Sequence, residues 1–172
     1  MKLNPLLIVI PILGIYIMSR NSPSLHPSRG YRNNNPLNIR VSNSRWKGEV
    51  PANLNTDGAF EQFYDRANGY RAAAKLILNY NKFYNIFTVE RIIERWAPAK
   101  GQAPDGQYYT NHTQAYIDYV VKNTSLDANS LINGSNVGEL VWAMARFENL
   151  PPHTDSLEYV NESVSEFKDI DY

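Results

Sequence analysis

The chain has no cysteine. Disulfide cross-links, cysteine nucleophiles and thiolate metal sites are therefore excluded. Its three histidines, His26, His112 and His153, are scattered without ligand spacing, so neither a metal site nor a cofactor is expected. Acid is missing from the start of the chain: no Asp or Glu occurs between Lys2 and Gly48. The cations there (Arg20, Arg29, Arg32, Arg40, Arg45 and Lys47) are too sparse for nucleic-acid recognition, and no nucleic-acid partner is expected.

The formal net charge of the 172 residues is zero, but it is unevenly spread. Acids gather at the other end, at Asp155, Glu158, Glu162, Glu166, Asp169 and Asp171, against Lys168 alone. Two readings are open: a pair of solvated tails, or a basic face that meets an anionic polymer or membrane.

One long apolar run stands out, Leu3 to Ser19, bracketed by Lys2 and Arg20. As a helix it would span roughly 26 Å, slightly short of the roughly 30 Å hydrocarbon core of a bilayer. Pro11 and Gly14 would kink it. No small-x-small cleavage site follows, so residues 1–20 are expected to be an uncleaved, single-pass anchor with lipid as its partner through residues 3–19. The cations beyond it would hold the domain on the cytoplasmic side of a cell membrane. Residues 21–28, rich in Pro and Ser, read as a flexible linker. Residues 153–172 read as an acidic C-terminal tail.

Between them, residues 29–152 have the size of one domain. Asn and Pro in Gly30 to Arg40 argue for turns rather than helix. Trp46 to Val50 and Ala59 to Phe63 read as two short strands around an Asp57-Gly58 turn, a small β-hairpin wing. Helical periodicity marks Gly69 to Tyr80, and then Val89 to Trp96 after a Thr88 cap and before Pro98. It returns from Thr110 or Asn111 to Lys122, with Tyr116, Val120 and Val121 inward, and from Val137 to Glu148 after Asn136. Lys100 to Tyr109 reads as a loop. The expected fold is mainly α with that small wing.

Arg29 to Arg40, RGYRNNNPLNIR, resembles the signature of a family of phage and prophage virion proteins related to lysozymes and lytic transglycosylases. The resemblance continues through Trp46-x-Gly48, Asp57-Gly58-x-Phe60-x-x-Phe63, Gly69-x-Arg71-Ala72, Thr88 to Pro98, Asn111-x-Thr113-x-x-Tyr116 and Phe147-Glu148-Asn149. It covers about Arg29 to Leu150 and implies an α+β, lysozyme-like fold. Such folds carry a catalytic Glu at a helix end just before the wing. Here the helix that ends in Glu is the last one, which we read as a circularly permuted order. Leu150 stands where the family pattern has glycine after Glu-Asn.

The resemblance implies cleavage of bacterial peptidoglycan strands as the virus penetrates or leaves the cell, with other virion proteins as further partners. The expected proton donor is Glu148, at the end of an apolar helix whose dipole disfavours its charge. The bland alternative is a capping or salt-bridging role, with Arg71 as partner. A second carboxylate would come from Glu49, Asp57 or Glu61. Of these, Asp57 fits its turn and Glu61, alternating with Phe60, fits a solvent-facing position. A transglycosylase needs only one acid. Asn35, Asn38, Arg40, Trp46, Tyr108 and Tyr109 are candidate saccharide contacts, with structural roles weighed for Asn35 and core packing for Trp46. Trp96 and Trp142 read as core. A non-catalytic virion membrane or wall-binding protein with the same domain is the alternative function.

Overall fold

In a computed structural model, the structure describes residues 28–102, 106, 108–149 and 155–171. The expected anchor at 1–20 and nearly all of the linker lie outside these residues. Among the described residues, no helix is long and apolar enough to cross a membrane.

The architecture is a helical bundle with one small hairpin. In chain order it comprises α1 (Arg29–Arg32), α2 (Arg66–Tyr84), α3 (Val89–Trp96), β1 (Lys100–Gln102), β2 (Tyr108–Thr110), α4 (Thr113–Asn123), α5 (Val137–Glu148), α6 (Leu157–Ser163) and a 3-10 turn (Ser165–Phe167). Local signals set the boundaries. Asp65 caps α2 by accepting from Asn68 N at 2.8 Å, and Asn85, in the left-handed region at φ 54°, closes it. Thr88 caps α3, and Pro98 follows its end. Helix α5 packs against α2, α4 and α6, and α3 packs against α4. Tyr70 and Ile77 of α2, Trp96 of α3, Tyr116 of α4, and Leu140 and Met144 of α5 are all buried at this centre. The three consecutive alanines Ala72, Ala73 and Ala74 are buried too. Their small side chains suit a close helix approach.

The hairpin is not where the sequence places it. β1 and β2 pair antiparallel, Lys100 opposite Thr110 and Gln102 opposite Tyr108, in the stretch read as a loop. Tyr108, Tyr109 and Thr110 favour extended backbone, and Gly106, between the two strands in sequence, has φ 86°, which glycine adopts readily. The expected wing between 46 and 63 contains only isolated bridges, Arg40 to Phe60 and Glu49 to Phe63. Its two segments exchange backbone bonds from Val50 N to Gln62 O at 2.7 Å and from Tyr64 N to Gly48 O at 3.0 Å, and the second also bonds to the loop at 33–41. The carbonyls of Phe60, Glu61 and Phe63, however, accept from the side chains of Asn55, Asn35 and Asn34, and no continuous ladder forms.

Two inward-facing assignments also change. Val121 of α4 is exposed, and Ile117 takes the inner position. The stretch read as an acidic tail is a docked element: Val160, Val164 and Phe167 are buried in the core. Asp155 is turned inward, accepting from the Tyr70 hydroxyl at 2.9 Å and pairing with Arg66, while Glu158, Glu162, Glu166, Asp169 and Asp171 are exposed. Charge density at the chain end masked an apolar spacing of four and three residues that a helix buries on one face.

Candidate active site

The Asn-rich loop after α1 is a set of struts. Asn33 donates to Asp57 Oδ2 at 2.9 Å and accepts from Gln62 at 3.1 Å. Asn34, left-handed at φ 51°, donates to Phe63 O at 3.0 Å. Asn35, fully buried, accepts from Ile39 N and donates to Ile39 O and Glu61 O, each at 2.9 Å. Its amide is spent inside the loop, so it cannot serve as a saccharide contact. Two glycines allow the loop to be seated. A Cβ on Gly30 would stand 2.5 Å from Asn149 Oδ1, and one on Gly69 would overlap Asn34 O and Pro36 Cδ.

Asn38 behaves differently. Its backbone is also left-handed, at φ 51°, a conformation Asn tolerates better than most residues. Its amide reaches across to the end of α5 and donates to Glu148 Oε2 at 2.9 Å. The other oxygen, Oε1, accepts from Trp96 Nε1 at 2.9 Å and from the Tyr116 hydroxyl at 3.0 Å. Helices α3 and α4 are registered to deliver those two groups. Thr113 donates to Ala97 O at 2.6 Å and Asn111 to Pro98 O at 2.8 Å, tying the start of α4 to the end of α3. Phe147 stacks on Tyr116 with centroids 4.1 Å apart. Asn149 donates to Pro36 O at 2.6 Å and to Ala145 O at 2.7 Å, clamping the end of α5 to the Asn loop.

Glu148 itself is half-buried. Burial pushes its carboxyl up to about 8, and the donors Asn38, Tyr116 and Trp96 only partly offset that. All three donors are neutral. The expected alternative partner, Arg71, pairs with Glu166 instead. Burial thus favours the protonated form of Glu148, and its ionised form would be received by three donors. This is the arrangement that a general acid–base group requires. Tyr116, buried with its hydroxyl against this carboxyl, is held far above its ordinary range by burial, then by the charge and hydrogen bond of Glu148.

The candidate second carboxylates have other partners. Asp57 caps its own turn, accepting from Phe60 N at 3.2 Å, and bonds to Asn33 and Arg29. Burial opposes its charge, but the Asn33 amide, the Arg29 guanidinium and the turn amides outweigh it, and its pKa lies below 3.8. Glu49 accepts from Trp46 N at 2.7 Å and pairs with Arg45 at 3.2 Å. Glu61, expected to face solvent, is only 6% exposed. Burial, with Glu49 as a further unfavourable charge, pushes it up to about 7 against the Ser42 N–H bond and Arg45. Glu49 and Glu61 line a cleft of about 230 Å³ with Val41, Ser42 and Arg45. Neither is among the donors and contacts of the Glu148 carboxyl.

Arg40 stacks over Phe60 at 5.0 Å, and Trp46 is buried in the core. Tyr108 is 85% exposed on β2, while Tyr109 is half-buried. Trp142 is half-buried, its Nε1 donating to Asp155 O at 3.2 Å. Trp96 and Tyr116, expected as core residues, also carry two of the three donors to Glu148. The signal in the sequence is chemical: an indole N–H or a phenol at an interior position requires a partner.

Fold and site together define a small helical domain with a carboxyl held by three neutral donors at the end of α5. No protein-family model matches the chain. It is 34% identical over 125 residues to Protein P5 of Pseudoalteromonas phage PM2, a match covering 71% of this chain and 71% of that protein. The chain belongs to the phage protein family of Protein P5.

Proposed function

We propose that this chain is a virion-associated lytic transglycosylase that cleaves the glycan strand of bacterial peptidoglycan, held at a viral or bacterial membrane through residues 3–19. The observation that carries the reading is the Glu148 carboxyl: half-buried, ringed by three neutral donors and raised to about 8. A group held this way gives its proton to the glycosidic oxygen as the C–O bond breaks and its electron pair moves to that oxygen. The carboxylate left behind then takes the proton of the sugar's own 6-hydroxyl as that oxygen closes on the anomeric carbon. One acid suffices for this route. Asp57 and Glu49 are committed to other partners, and Glu61, 6% exposed, accepts from Ser42 N in the cleft it shares with Glu49. None of the three bonds to a donor of the Glu148 carboxyl, which disfavours a two-carboxylate mechanism with its closely opposed pair.

The test is digestion of purified peptidoglycan by the full chain in detergent, followed by mass spectrometry of the fragments. Anhydro-sugar ends, one water lighter than reducing ends, are expected. Glu148→Gln should lower the rate on the order of 100-fold or more. Reducing ends would point to a hydrolase, and full activity in Glu148→Gln would remove Glu148 from the chemistry. Membrane attachment is tested separately: removal of residues 1–20 should release the domain from vesicles, and continued association would count against an anchor there.

A further inference from the structure

A carboxyl group offers about four in-plane positions to hydrogen-bonding partners, two on each oxygen. Three of the four at Glu148 are filled. Trp96 and Tyr116 occupy both positions on Oε1, and Asn38 occupies one on Oε2. The donors also differ in their surroundings. Trp96 and Tyr116 are fully enclosed in the core, whereas Asn38 is half-exposed. Oε1 therefore faces the interior and Oε2 the accessible side.

We propose that Oε2 is the atom that carries and delivers the proton, that the saccharide arrives along Asn38, and that Trp96 and Tyr116 are positioning residues that fix Oε1. The proposal rests on Glu148 acting as proton donor, and it adds which atom reacts and from which side. With the proton on Oε2, Oε1 still accepts from Trp96 and Tyr116 and Oε2 still accepts from Asn38. No partner has to move when the proton leaves. The leaving oxygen takes that proton from Oε2 and keeps the electron pair of the broken C–O bond, and the second step returns a proton to the same atom. Asn38, 2.9 Å from Oε2, stands where it can also bond the substrate. The Tyr116 hydroxyl has one proton and two acceptors in reach, Glu148 Oε1 at 3.0 Å and Met144 O at 3.3 Å, and the proposal assigns that proton to Glu148. Of the groups bonded to the carboxyl from the loop, α3 and α4, Tyr116 alone titrates.

The two sides predict different responses. Tyr116→Phe removes a donor from a dry site where no water replaces it, so the Glu148 pKa should rise by about one unit. Asn38→Gly keeps the left-handed backbone and opens Oε2 to water, so the pKa should move by less than half that amount. The measurement is a carbon-13 titration of the Glu148 carboxyl in the full chain in detergent, its signal assigned by loss in Glu148→Gln. KM on soluble glycan strands is the second readout: about tenfold higher in Asn38→Gly and within twofold of the parent in Tyr116→Phe. The proposal is overturned if Asn38→Gly moves the pKa as far as Tyr116→Phe does, or if Tyr116→Phe is the variant that raises KM. Should the parent chain not cut glycan at all, the proposed reaction fails, and the titration by itself still decides which oxygen faces the core.

Discussion

Replacing Glu148 by Gln should stabilise the protein at alkaline pH while removing the proposed glycan cleavage. The carboxyl moves from an ordinary 4.5 to about 8 on folding, chiefly through burial. A folded-state pKa above the unfolded one means that the native chain holds the proton longer. Stability is then intact below about pH 4.5, declines as pH rises, and levels off above about 8. At about 1.4 kcal/mol per unit, ionising this group should cost the native state on the order of 3–5 kcal/mol. Gln cannot ionise. Its carbonyl oxygen can keep the Trp96 and Tyr116 bonds, and the Asn38 amide can turn to offer its oxygen to the new Nε2.

The assay is urea unfolding of both full-length chains in detergent at pH 5 and pH 9, where Asp57 with its lowered pKa stays ionised and adds no slope. Glu61, also raised, lowers both chains alike and cancels in the difference. The gap between Glu148→Gln and the parent should widen in favour of the variant by roughly 3–5 kcal/mol between those pH values, or about 10 °C or more in thermal midpoint. An unchanged gap would refute the reasoning. So would a variant less stable than the parent at pH 9, because the site would then favour the ionised form. The expected result is a cost in stability accepted for a proton donor, a common trade at reactive sites.

Other parts of the framework give sharper tests of structure. Gly30→Ala should lose about 1–3 kcal/mol in urea unfolding, because its Cβ would press on Asn149 Oδ1. Asn35→Ala should lose about 2–4 kcal/mol, since it strands backbone groups of residues 39 and 61 in the interior. Phe167→Ala should cost about 2–4 kcal/mol if the C-terminal segment is docked, against almost nothing for a solvated tail. Glu61→Gln should leave stability at pH 5 unchanged and raise it at pH 9, the sign following from a carboxyl raised to about 7.

Helices were readable where periodicity and caps agreed. The spacing of Ile92, Ile93 and Trp96 between Thr88 and Pro98 gives α3 with the bounds observed, and Asn136 to Glu148 gives α5. The wing was misplaced because alternation and a turn dipeptide describe a hairpin only if backbone groups pair with backbone groups. Here only a short stretch around Glu49 and Phe63 does so; Asn and Gln side chains take other backbone partners, and a single sequence does not say which amide goes where. Val121 was misassigned because α4 has two apolar flanks, and only the packing of α3 and α5 decides between Ile117 and Val121. Glu148 was legible as a helix-terminal acid among apolar neighbours. Its contact with Asn38, 110 residues away in sequence, was reachable only through the assumption of a permuted order. Trp96 and Tyr116 were hidden by their bulk: both are core residues, and each also has one polar atom with a task.

The short motifs that carry the family resemblance turn out to be one another's contacts. Asn33 of the first bonds Asp57 of the third, and Asn34 bonds the backbone of Phe63. Gly69 of the fourth leaves room for the Asn34 carbonyl. Asn111 and Thr113 of the sixth bond Pro98 and Ala97, which end the fifth. Asn38, Trp96 and Tyr116, from the first, fifth and sixth, meet on Glu148 of the last. A scaffold selected only for stability would not need three donors converging on a carboxyl that burial disfavours, since an apolar side chain of similar size would be cheaper there. The loop, the clamp between α3 and α4 and the Asn149 lock all serve to hold that costly group in place. That concentration of motifs on one destabilising residue is the strongest reason to look for the chemistry at Glu148 rather than in the cleft of Glu49 and Glu61.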